Sequence, residues 1–159
     1  MAERVYIETT FVSYLTAWPS RDVVIAGHQQ VTREWWDSRR ADYELCVSQL
    51  VLDESAAGDA QAAHDRLAIL RSMAVLETTP AALDLAKELI QKGALPAKAA
   101  DDALHVAVAA VHAIPYLLTW NCRHLANATM RPIIESVCVN KGHKAPIICT
   151  PEELLGPSP

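Results

Sequence analysis

Four oxygen-bearing side chains fall where an α/β protein does its chemistry: Glu8, Glu54, Asp102 and Asn121. Glu8 closes the apolar run Val5-Tyr6-Ile7, a place where a charge is costly unless it is paired or binds a cation. Glu54 lies in Leu52-Asp53-Glu54-Ser55, on a helix after a second apolar run; Asp53 is one residue round that helix and faces elsewhere. Asp102 opens the helix Ala99–Ala110 and shares a face with Val106 and Ala109, which holds it at a packed rim, whereas Asp101 points away and is the more exposed acid. Asn121 follows Leu118-Thr119-Trp120 at the end of another apolar run. Each has an ordinary explanation when taken alone: a helix cap or strand end for Glu8, a solvated helix face for Glu54, the helix dipole for Asp102 and a turn for Asn121. As a set they say more. Clustered carboxylates raise one another's pKa unless a cation neutralises them. Hard oxygen ligands without Cys or His favour Mg²⁺ or Mn²⁺, ions that activate water and stabilise the oxyanions of phosphoryl transfer.

The elements that must position these groups alternate between two periods. Short apolar runs at residues 4–8, 43–47, 74–77, 115–119 and 147–149 read as strands. Between them lie helical segments. A short one covers Phe11–Leu15. A longer one spans 21–38 with Ser20 as N-cap and Val24, His28, Val31 and Trp35 on one face. A third carries Leu50, Val51 and Glu54 and is broken at Gly58-Asp59. A fourth covers 60–71, with Ala63, Leu67 and Leu70 together. Thr79-Pro80 opens a fifth, which Gly93 ends. Leu95-Pro96 starts another that runs to about His112, 130–138 is helical, and Pro151–Leu154 forms one further helical turn. Strands separated by helices imply right-handed crossovers and a mainly parallel sheet. Ligands of such sheets bind beyond the carboxyl ends of the strands, where strand order reverses. The four groups fall at expected strand ends or helix starts, and Asn121 stands next to Glu8 if their two strands are neighbours.

Composition sets the frame. A chain of 159 residues, 51% hydrophobic and 21% charged, is sized for one domain and is not a disordered chain. The expected division is a domain over 1–155 and a flexible tail over 156–159. No apolar run approaches the ~20 residues of a membrane span, and the start of the chain lacks a signal-peptide core, so a cytoplasmic protein with no membrane contact is expected. Cys46, Cys122, Cys138 and Cys149 are scattered without a CxxC pair, which fits reduced thiols rather than a thiolate metal site. A net charge of −5 excludes a broad basic groove for nucleic acid.

The motifs, in order, resemble those of PIN-domain nucleases, and in particular VapC-type toxins of type II toxin–antitoxin systems. Val5-Tyr6-Ile7-Glu8-Thr9-Thr10 is similar to the first family motif, Leu50–Glu54 with Gly58 to the second, Asp102–Ala109 to the third, and Leu117-Leu118-Thr119-Trp120-Asn121 to the fourth. The resemblance implies a three-layer α/β/α sandwich and Mg²⁺- or Mn²⁺-dependent cleavage of RNA phosphodiester bonds. It implies that Glu8, Glu54 and Asp102 are catalytic, metal-binding acids and that Asn121 stands in the fourth ligand position. Thr10 and Thr119 match the hydroxyls that support the cluster, and Arg123 and His124 stand where RNA phosphate could be met. A homodimer and a cognate antitoxin are the implied protein partners. Two positions depart from the family pattern: Glu8 and Asn121 both stand where Asp is usual. The first departure moves a carboxylate outward by one carbon–carbon bond; the second keeps an oxygen and drops a charge.

Those departures support a competing expectation, a catalytically reduced PIN-fold module that binds RNA or antitoxin without cutting. A phosphoacceptor protein would need a nucleophilic Asp after the first strand, which Ile7-Glu8-Thr9-Thr10 does not supply. His105, three residues after Asp102, reads as a packed helix residue ahead of the alternative of a general base, and His64, His112 and His143 lack partners at ligand spacing. Trp35 and Trp36 divide between core and surface, Trp120 belongs to core or rim, and Arg33, Arg39 and Arg40 form a solvated basic patch. Placing three acids in a metal pocket also changes the meaning of the charge. RNA would be engaged locally, through a cation at one small acidic site.

Overall fold

A computed structural model describes residues 2–157. Five strands, β1 (Glu3–Ile7), β2 (Tyr43–Ser48), β3 (Ala74–Leu76), β4 (Tyr116–Leu118) and β5 (Ile147–Cys149), form one sheet in the order β3-β2-β1-β4-β5. Every pairing is parallel. Seven α-helices connect them among the described residues: α1 (Thr9–Thr16), α2 (Val23–Arg39), α3 (Gln49–Ala56), α4 (Ala60–Leu70), α5 (Pro80–Gln91), α6 (Ala100–Val111) and α7 (Arg131–Asn140). The chain winds outward from β1 to β3 and then crosses back to β4 on the other side of β1. With right-handed crossovers, this reversal puts α1–α4 on one face and α5–α7 on the other. The helix contacts divide the same way, α1 through α4 among themselves and α5 with α6 and α7.

The reversal leaves β1 and β4 side by side, with Ile7 opposite Leu118. The residues just after the two strands, Glu8 and Thr119, therefore emerge at one level, and Glu8 N donates to Leu118 O at 3.1 Å. Beneath them the core is closed. Val5, Tyr6, Ile7, Leu117 and Leu118 are fully buried. So is nearly the whole circumference of α6, from His105 to Ala110, which small Ala and Val side chains allow to lie close on the sheet.

Local signals operate largely as the sequence suggests. Gly58 at φ +84° and Gly93 at φ +76° sit at helix ends that require left-handed backbone. The side chains of Asp59 and Thr79 cap α4 and α5. Other details differ. Glu8 is the N-cap of α1 rather than the last strand residue, its carboxylate accepting from Thr10 N. α2 begins at Val23 and is capped by Asp22, which accepts from Val24 N and Ile25 N, while Ser20 only supports Asp22. The expected apolar face of α2 is rotated: Val24 is 65% exposed, and Gln29, Thr32 and Trp35 are buried. The two polar residues can take core positions because each is bonded. Gln29 binds the Trp18 carbonyl and Ser20 N, and Thr32 accepts from Trp120 Nε1. The segment after Pro96 starts as a 3-10 turn over Ala97–Ala99 before α6 begins, and 151–155 forms turns, not helix. All four cysteines are free thiols. Of the expected tail, Gly156 packs near the Arg39 guanidinium, and residues 158 and 159 lie outside the described residues.

Candidate metal centre

Glu8 is 3% exposed and held on both carboxylate oxygens. Thr10 Oγ1 and Thr119 Oγ1 donate to Oε1 at 2.7 and 2.6 Å, and Thr10 N donates to Oε2 at 2.8 Å. The two threonines are themselves fixed by backbone: Trp120 N donates to Thr10 Oγ1 at 2.8 Å and Asn121 N to Thr119 Oγ1 at 2.9 Å. The shortest bonds of both hydroxyls thus run to Glu8, and the buried carboxylate is held in place.

Glu54 approaches from α3. Its Oε1 accepts from Thr9 Oγ1 at 2.6 Å and faces His105 Nε2 at 2.8 Å. The other ring nitrogen of His105 lies 2.6 Å from the Tyr6 hydroxyl, which is 2.7 Å from Ser48 Oγ. Burial alone would lower the pKa of His105; the bond to Glu54 and the charges of Glu8, Glu54 and Asp102 outweigh it and raise the value above that of a free histidine. Desolvation works against the Glu54 carboxylate, yet His105 and Thr9 hold its pKa below the ordinary value. Ligand atoms of Glu8, Glu54 and His105 all lie within 4.8 Å of one another.

Asp102 sits in the first turn of α6, three residues before His105, with its side chain 21% exposed. Its Oδ2 is 3.0 Å from His124 Nδ1. It is not one of the three tightly grouped residues, though its charge reaches His105. Asn121 is partly buried beyond β4, and its Oδ1 accepts from His124 N at 3.0 Å, so the amide closes a turn and also stands at the site's edge. Arg123 is exposed. His124, read from sequence as an RNA contact, is engaged with Asp102. His105, read as packing, is the residue that sequence reasoning missed: it is buried as expected, but its two nitrogens join Tyr6 to Glu54. The available signal was its position one turn after Asp102, on the same side of the helix.

This donor set fits a divalent cation. Two carboxylates and an imidazole converge, and the hydrogen bonds to Glu54 all fall on Oε1, on a side chain that is 32% exposed. Converging, partly buried acids are poorly stable without a positive partner.

An all-parallel sheet with carboxylates gathered at its switch point defines an α/β protein built around an acidic centre. The PIN domain family model matches residues 6–127, a span that includes every residue of this centre, and the chain belongs to that family. Two solved structures share the fold. VapBC2 from Rickettsia felis, in a structure bound to a DNA fragment from their promoter, aligns at 16% identity and a TM-score of 0.59, covering 92% of this chain and 98% of that one. Mycobacterium tuberculosis VapC20, described as a sarcin–ricin loop cleaving toxin, aligns at 20% identity and a TM-score of 0.55, covering 71% and 86%. A search of curated proteins found no match.

Proposed function

We propose that this chain is a metal-dependent endoribonuclease and the toxin of a toxin–antitoxin pair. The observation that carries the reading is the convergence of Glu8, Glu54 and His105 at the switch point of a PIN fold. Glu8, Glu54 and Asp102 would hold Mg²⁺ or Mn²⁺, with Asn121 at the fourth position. Bound there, the ion would supply an activated water and charge stabilisation for phosphodiester hydrolysis. The chain's own contribution is alignment. Thr10 and Thr119 fix Glu8, Thr9 and His105 fix Glu54, and His124 orients Asp102. Arg123, exposed beside this edge, offers a cation to an RNA phosphate.

The likeness to a VapBC2 structure supports a cognate antitoxin as a protein partner. A homodimer, and one domain over residues 1–155 acting in the cytoplasm, belong to the same proposal. Among the described residues no helix is long and apolar enough to cross a membrane. The test is cleavage of RNA by purified protein with Mg²⁺ or Mn²⁺, beside Asp102→Ala and Glu54→Gln. Cutting that both substitutions abolish supports the proposal; cutting that survives them refutes the assignment. One observation favours a second reading, an RNA- or antitoxin-binding module of reduced activity: the Asn121 oxygen is already engaged by His124 N. RNA binding without cutting at any divalent-ion concentration would select it.

A further inference from the structure

The geometry points to a cation site of mixed donors, in which His105 Nε2 ligates the ion together with Glu8 and Glu54 and biases the site toward Mn²⁺ over Mg²⁺. This rests on the metal-dependent reading above and adds a nitrogen ligand and an ion preference to that site.

The first argument is distance. Neighbouring ligands on an octahedral ion with bonds of about 2.0–2.1 Å lie roughly 2.9 Å apart. His105 Nε2 and Glu54 Oε1 are 2.8 Å apart, so both can bind one ion with only small shifts of the side chains. Glu8 completes a set whose members all lie within 4.8 Å.

The second argument is the support behind the ring. A histidine that binds a metal donates its other N–H to a fixed acceptor, which sets the tautomer and the ring plane. Here that acceptor is the Tyr6 oxygen, 2.6 Å from Nδ1, with Tyr6 in turn 2.7 Å from Ser48 Oγ. Tyr6 is fully buried, and its hydroxyl can donate onward to Ser48. With Nδ1–H directed to Tyr6, Nε2 carries the proton it shares with Glu54, and a cation that takes that proton's place meets the Nε2 lone pair. Tyr6 also packs edge-on against the imidazole, with ring centroids 5.7 Å apart. The ring is therefore held in plane and in depth before any ion arrives.

The third argument is charge. Two carboxylates stand beside Nε2, and their combined charge favours a divalent cation at that place. Mg²⁺ prefers oxygen and water in strict octahedral array, whereas first-row transition ions accept imidazole readily. A buried nitrogen among the ligands thus separates the two ions by chemistry rather than size.

The probe is Mn²⁺ bound to the wild-type protein, followed by electron spin echo envelope modulation. The expected result is a directly coordinated ¹⁴N signal that His105→Gln removes and His124→Gln retains. By equilibrium dialysis, His105→Gln should weaken Mn²⁺ binding about tenfold or more while Mg²⁺ changes less than about threefold. The wild-type spectrum decides even if the His105 variant fails to fold. Bound Mn²⁺ without ¹⁴N coupling, or coupling that persists in His105→Gln, overturns ligation by His105 and leaves the metal-dependent reading intact. Absence of any Mn²⁺ binding that Glu54→Gln would abolish overturns both.

Discussion

Thr119 donates its hydroxyl to Glu8 Oε1 over 2.6 Å, across the seam where β4 returns to lie beside β1. Thr119 Oγ1 also accepts from Asn121 N, so one side chain joins a buried carboxylate to the loop that carries Asn121 and His124. Thr119→Val keeps the shape and removes both bonds. The orphaned groups should cost about 1–3 kcal/mol of stability, read as a lower urea midpoint. Affinity for Mn²⁺ should fall with it, because Glu8 loses one of its hydroxyl donors. A midpoint and an affinity equal to wild type would show that Thr10 alone holds the carboxylate.

Asn121→Asp restores the acid usual at this position. The turn should survive, since a carboxylate oxygen can accept from His124 N as the amide does at 3.0 Å. The added charge lies close to Asp102 through their shared neighbour His124. Calorimetric titration should therefore show tighter Mn²⁺ binding in the variant. No gain would remove Asn121 from the metal's surroundings and leave it a turn residue.

Trp120 ties α2 to the acidic centre. Its indole stacks on His28 with centroids 4.0 Å apart at 12°, and its Nε1 donates to the buried Thr32 Oγ1 at 2.7 Å. Its own backbone N–H holds Thr10. Trp120→Phe keeps an aromatic face but leaves Thr32 without this donor. A loss of about 1–3 kcal/mol in chemical denaturation is expected. If stability is unchanged, the indole N–H contributes nothing net and the stack alone positions the loop.

The parts of this architecture that could be read from sequence are those set by local chemistry. The strand runs, the Gly58 and Gly93 stops and the Thr79-Pro80 helix start follow from residue type and spacing, and of the four expected site residues Glu8 and Glu54 meet in one close group. What escaped depends on distant partners. Gln29 and Thr32 are legible as core residues only once Trp18, Ser20 and Trp120 are known to meet them. A hydrophobicity pattern assigned the buried side of α2 to Val24 instead. His105 shows the same limit at the site. Helix periodicity places it inside, but only the sheet order brings Tyr6 and Glu54 to its two nitrogens, from 99 and 51 residues away.

The thiols give a check on this packing that is independent of activity. Cys122 is exposed, whereas Cys46, Cys138 and Cys149 are buried. Burial pushes the buried thiols up to about 12, 11 and 12, and it raises Cys122 as well. The thiolate is the reactive form, so raising these values lowers reactivity at any pH below them. Between pH 7 and 9 the rate at Cys122 should climb with pH as its thiolate fraction grows, while the other three stay neutral and inaccessible. Mass spectrometry after brief iodoacetamide treatment at pH 8 should find a single alkylated cysteine, Cys122, with the remaining three labelled only in denaturant. Early labelling of Cys46 would contradict the β1–β2 pairing, since its Sγ lies against the Val5 carbonyl at 3.4 Å and can be reached only if those strands separate.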